Sequence, residues 1–79
     1  MSYLQALIDF GKGNYLECLK QLKSIVHSNP RCPPQIRFGI GLCYYRMGNI
    51  NKAKIAFKRV LSFDLDHSMA NIALAIIEL

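Results

Sequence analysis

Apolar residues recur at steps of three and four along nearly the whole chain, and polar breakers divide the pattern into five segments. These run at about 2–11, 15–28, 34–47, 50–63 and 67–79. Leu19, Leu22, Ile25 and Val26 show the spacing in the second, and Ile55, Ala56 and Val60 show it in the fourth. None of the five alternates with period two, so each is read as a short helix rather than a strand. The breakers carry their own chemistry. Gly11-Lys12-Gly13-Asn14 and Gly48-Asn49 put glycine where a helix C-terminus favours a left-handed residue, with asparagine poised to cap the next helix. Asn29-Pro30-Arg31-Cys32-Pro33-Pro34 closes the second segment, and its last prolines suit a first helical turn, where no N–H is needed. Phe63-Asp64-Leu65-Asp66 closes the fourth, with Asp66 at or beside the next N-cap. The pattern predicts an all-α chain of five antiparallel helices joined by tight turns.

Gly39 and Gly41 stand two residues apart inside the third segment, where a glycine is about 1 kcal/mol worse than alanine. Internal repetition accounts for one of them. Gly13-Asn14-Tyr15 followed by Glu17-Cys18-Leu19 recurs 35 residues on as Gly48-Asn49-Ile50 followed by Lys52-Ala53-Lys54. The second copy reads Ile40-Gly41-x-x-Tyr44, then Gly48, then Ala53-x-x-x-Phe57. It resembles the tetratricopeptide (TPR) pattern, a helix–turn–helix unit of about 34 residues. The first copy keeps Ala6, Gly13, Cys18, Leu22 and Pro30 at the corresponding steps. It departs at Asp9, where the pattern has an aromatic; the second departs at Arg37, for the tryptophan-like position, and at Leu65, for the proline.

The resemblance implies a TPR-type α-solenoid of about two and a half repeats, spanning 1–32, 33–66 and a further first helix at 67–79, within a longer array. In such units Gly41 and Ala53, like Ala6 and Cys18, sit where two helices cross closely, and Tyr44 and Phe57 fill the wedge beside them. Gly39 has two readings: room for the second helix of the preceding repeat, or close backbone approach by a partner peptide.

Composition constrains the class of function. At 52% hydrophobic residues, the 79-residue chain carries more apolar surface than so small a domain hides. The densest apolar run, Met69–Ile77, is interrupted by Asn71 and is too short to span a bilayer. Residues 1–10 lack a basic leader and long apolar core, so no signal peptide is expected. Cys18, Cys32 and Cys43 form no CxxC pair and are odd in number, which predicts free thiols in a reducing compartment. The net charge is +5, but the basic residues are dispersed. Only Lys52–Arg59 is dense, and a solvated helix face accounts for it. Aromatics do not alternate with these charges as base-stacking platforms would, so neither nucleic acid nor membrane is expected as a direct partner.

No catalytic constellation is visible. His27 and His67 each stand at a helix end, where an imidazole meets terminal backbone. His27 and Cys32 would need two further ligands to hold zinc. Asp9, Glu17, Asp64, Asp66 and Glu78 form no carboxylate pair at useful spacing, and Gly11-x-Gly13 is followed by Asn-Tyr-Leu rather than by a phosphate loop's Gly-Lys-Ser. The chain is expected to be no enzyme and to need no cofactor or metal.

A more specific resemblance covers nearly the whole chain. Asn29-Pro30-x-Cys32-Pro33-x-x-Ile36-Arg37-x-Gly39-x-Gly41-x-Cys43, Lys52-Ala53-Lys54-Ile55-Ala56-Phe57 and Ala73-Leu74-Ala75-Ile76-Ile77-Glu78-Leu79 resemble the TPR scaffold subunits of the RNA polymerase II-associated factor (PAF) elongation complex. The resemblance implies a nuclear, non-catalytic scaffold that joins subunits accompanying elongating polymerase and supporting histone modification. Those proteins are many times longer, so the chain would be a segment or a short relative. The alternative is a generic TPR adaptor or co-chaperone that binds a peptide in its concave groove. First-helix residues expected to face a partner are Tyr3, Leu7 and Phe10, then Phe38, Leu42 and Tyr45, then Ile72 and Ile76. This stripe is aromatic and aliphatic rather than rich in Lys, Arg and Asn, which argues against an acidic carboxyl-terminal clamp. Residues 67–79 offer few polar positions, so self-association through this helix is expected.

Overall fold

The computed structural model describes residues 3–78 and forms five helices. They are α1 (Tyr3–Gly11), α2 (Tyr15–Ser28), α3 (Pro34–Arg46), α4 (Ile50–Phe63) and α5 (Ser68–Ile77). The helices anticipated from periodicity are all present, within a residue or two at their ends. The expected outer limits at residues 2 and 79 lie outside the described residues.

Each helix packs chiefly on its neighbours in sequence: α1 on α2, α2 on α3, α3 on α4, α4 on α5. That nearest-neighbour stacking is how a solenoid buries a continuous core. Two apolar clusters result. Ala6, Cys18, Leu19, Leu22, Cys32, Ile36 and Cys43 join α1, α2 and α3. Phe38, Ala53, Phe57, Val60 and Ala70 join α3, α4 and α5, and Tyr44 packs against both groups.

The α1–α2 and α3–α4 turns are built alike. Gly13 donates its N–H to the Phe10 carbonyl (3.1 Å) and Asn14 to the Asp9 carbonyl (2.8 Å). Gly48 donates to Tyr45 (3.1 Å) and Asn49 to Tyr44 (2.9 Å). Both glycines take positive φ, 82° and 84°. This is the Schellman arrangement, which satisfies the last carbonyls of a helix and needs a left-handed residue to do so. Asn49 then caps α4 by accepting the Lys52 N–H, whereas Asn14 occupies the cap position of α2 without such a bond.

The two inter-repeat turns reach similar ends by different chemistry. Between α2 and α3, Pro33 occupies the N-cap and Pro34 the first turn, and the Arg37 guanidinium donates to the Pro30 carbonyl at 3.0 Å. Between α4 and α5, where Leu65 replaces the expected proline, the Asp64 carboxylate accepts the Asp66 N–H at 3.2 Å. His67, beside Asp66, caps α5, its Nδ1 accepting the Ala70 N–H at 3.1 Å. Its ring also lies 5.3 Å from that of Phe38, fixing the imidazole as a structural element.

Candidate partner-binding surfaces

Crossing contacts fix which side chains remain at the surface. A Cβ built on Gly41 would stand 2.5 Å from the Phe57 ring, so the missing side chain is the space the ring occupies. Ala53 is fully buried beside them and Phe57 nearly so. A Cβ on Gly39 would meet the Leu22 Cδ1 at 3.0 Å, which is the close approach of α2, the second helix of the preceding repeat. In the first hairpin Ala6, Cys18 and Leu22 are buried together.

The eight residues expected to face a partner fall into three groups. Leu7, Tyr45, Ile72 and Ile76 are exposed. Tyr3, Phe10 and Leu42 are half-buried against the two clusters, Phe10 in an edge contact with Tyr15 at 5.2 Å. Phe38 is 9% exposed and lies 5.3 Å from the Phe57 ring, so its surface is spent on the core. Helical spacing alone cannot separate the groups, because α3 is covered from more than one side.

Apolar residues are exposed at both ends of the stack, as well as along its length at Met47, Ile50, Ile55, Phe63 and Leu65. Leu4 and Ile8 of α1 and Leu16 of α2 are exposed at one end, and Met69, Ile72 and Ile76 of α5 at the other. The thiols are the opposite case. Burial pushes the Cys18 thiol above its ordinary range, and burial together with the hydrogen bond it donates to Cys18 pushes Cys43 up to about 12. Protonated and enclosed, they behave as small core residues rather than nucleophiles.

A further feature combines residues that look unrelated in sequence. A cavity of about 390 Å³ opens between α2, α3 and α4, bordered by Lys23, His27, Arg37, Lys52 and Arg59. Tyr44 lies at its base, with the Lys23 and Lys52 ammonium groups 5.3 and 5.6 Å from the ring centroid. The sequence signal was present in Lys52, Ile55 and Arg59, which share one helical face, but their convergence with Lys23 depends on how α2 packs on α3. Among the described residues no three His, Cys, Asp or Glu side chains gather as a metal site, and no helix is long and apolar enough to cross a membrane.

Nearest-neighbour packing, paired Schellman turns and small crossing residues define an all-α, TPR-type helical array. No family model matches the chain. Over 75 residues, 95% of its length, it is 43% identical to a protein of Arabidopsis thaliana described as Protein CTR9 homolog. It is 30% identical over 69 residues to the RNA polymerase-associated protein CTR9 of Saccharomyces cerevisiae. A third relative, Tetratricopeptide repeat protein 1 of Schizosaccharomyces pombe, is 38% identical over 60 residues. The resemblance to CTR9 proteins thus runs through nearly the whole chain, and that to the tetratricopeptide repeat protein through 76% of it. It spans only 7% of the length of the first of these relatives and 6% of the other two.

Proposed function

We propose that the chain is a non-catalytic protein–protein interaction segment of a transcription elongation scaffold, acting in the nucleus with RNA polymerase II and the chromatin modification that accompanies it. The observation that carries this reading is the 43% identity to the Arabidopsis CTR9 homolog across 95% of the chain. The exposed apolar residues at both ends of the stack support it, since a repeat leaves such faces for its neighbours to cover. Repeats 1–32 and 33–66 and the helix at 67–79 are accordingly read as part of a longer array. The partners are other subunits of the RNA polymerase-associated complex, meeting the surface that Leu7 and Tyr45 leave open. Affinity capture with this chain as bait, against a Leu7→Glu/Tyr45→Glu variant, tests the reading. Loss of such subunits from the variant is expected; their absence from both eluates, or equal recovery, contradicts it.

In isolation the chain is expected to pair through α5, whose Met69, Ile72 and Ile76 are all more than half exposed. Burying such side chains is worth about 1.5–3 kcal/mol each. Light scattering during size exclusion should give more than the 9.0 kDa of a monomer, and Ile72→Glu/Ile76→Lys should restore it. A wild-type monomer sinks the pairing but leaves the scaffold reading standing.

A further inference from the structure

The cavity between α2, α3 and α4 gathers five cationic or titratable basic side chains, and none of the chain's five acidic residues lines it. Like charges crowded around one concavity repel, and no carboxylate within it offsets that repulsion. The arrangement is held from below. Tyr44 draws Lys23 from α2 and Lys52 from α4 toward its ring face, and the Arg37 guanidinium is anchored on the Pro30 carbonyl. Lysine and arginine heads are donors without acceptors. What they can receive is therefore an anion with several acceptor oxygens.

We propose that this cavity is a docking site for a phosphorylated serine or threonine in a protein segment. The inference goes beyond the scaffold reading, because the surface differs from the one assigned there. Arg37, Ile40 and Tyr44 recur at three- and four-residue steps on one face of α3, while Leu42 and Tyr45 lie on another. A carboxylate brings one charge and two oxygens, leaving most of the ring of cations unneutralised. A phosphomonoester brings nearly two charges and three oxygens, which can bridge Lys23, Lys52 and Arg59 at once. Val26, Ile40 and Ile55 supply apolar wall beside the cations, suited to a flanking side chain of a peptide. A nucleic acid strand asks for something else: a continuous basic track with open aromatic faces. Here the one aromatic of the cavity is half-buried and attended by two ammonium groups.

Fluorescence anisotropy on the 79-residue chain tests this, using a labelled acidic peptide with one central phosphoserine, the same peptide with serine, and a single-stranded RNA of similar charge. The phosphoserine peptide should bind at least about tenfold tighter than the serine peptide, and weaken as salt rises. Lys52→Glu or Arg59→Glu should each lower its affinity about tenfold, while Lys58→Glu, exposed on α4 outside the cavity, should change it less than about twofold. Far-ultraviolet helicity verifies that the variants fold. Amide shift mapping on the wild-type chain gives a readout free of mutation, with changes expected at Val26, Tyr44 and Ile55. Equal affinity for the serine and phosphoserine peptides, or equal losses in the Lys52 and Lys58 variants, overturns the proposal. Shifts centred elsewhere, or tighter binding of the RNA, overturn it as well.

Discussion

In the first hairpin Asp9 and Gln21 meet across the helix crossing, the Gln21 Nε2 donating to the Asp9 carboxylate at 2.6 Å with both residues buried. Thirty-five residues on, the same two places are held by Tyr44 and Ala56. The turn between the helices is otherwise the same, with φ of 82° at Gly13 and 84° at Gly48. The crossing pairs also exchange size: Ala6 accompanies Leu22 in one hairpin, and Gly41 accompanies the larger Phe57 in the other. The repeat is thus set by turn geometry and by the summed volume at the crossing, while the wedge tolerates either a polar pair or an aromatic ring. The choice has consequences. The polar wedge seals itself, though Gln21 Oε1 finds no partner among the described residues. The aromatic wedge leaves Tyr44 at the base of the basic cavity.

Disrupting the crossing of the second hairpin should have the largest effect. Phe57→Ala is expected to cost about 3–5 kcal/mol, as removal of a buried aromatic does, a large share of a small domain's total stability. Gly41→Leu should cost at least about 1–3 kcal/mol by forcing the ring aside. The double variant Gly41→Ala/Phe57→Leu imports the pair used by the first hairpin, and urea melts should show it more stable than Gly41→Ala alone. If it is not, summed volume does not govern the crossing.

Removing the polar wedge comes next. Asp9→Ala leaves the buried Gln21 amide without its acceptor and should lower stability by about 1–3 kcal/mol in chemical denaturation. The turns follow. Gly13→Ala and Gly48→Ala each force a Cβ into a left-handed position at a cost of about 1 kcal/mol, and the two melts should shift alike. Unequal shifts would separate turns that the backbone makes equivalent.

A further effect is confined to alkaline pH. The Cys43 thiol ionises near 9.0 in its ordinary state and at about 12 in the fold, so the folded chain holds this proton longer than the unfolded one. Its contribution is complete below about pH 9 and is lost as pH rises toward about 12. Cys43→Ala should therefore show a shallower fall in urea midpoint over that range than wild type; parallel curves contradict the burial of the thiol.

Local signals made the helices and turns legible. Apolar periodicity, the Gly-Asn turns and the Pro33-Pro34 start depend only on nearby residues, and each appears in the fold at its expected place. What was not legible depends on neighbours distant in sequence. Phe38 shares the spacing of the exposed Leu7 and Tyr45, yet it is enclosed because Phe57 and His67 close over it. The basic cavity needs three helices to form. Asp9 stood out as a departure from the repeat pattern, but its partner Gln21, 12 residues away, is a residue type usually at the surface.

The equivalence of the two hairpins is tested most directly by converting the first wedge into the second. Asp9→Tyr/Gln21→Ala removes both polar partners together and installs the Tyr44–Ala56 pair, so no buried group is left unsatisfied. Thermal and urea melts followed by circular dichroism should show one cooperative transition, at or above the wild-type midpoint and well above that of Asp9→Ala. A double variant that melts below Asp9→Ala, or loses its helicity, would contradict the account.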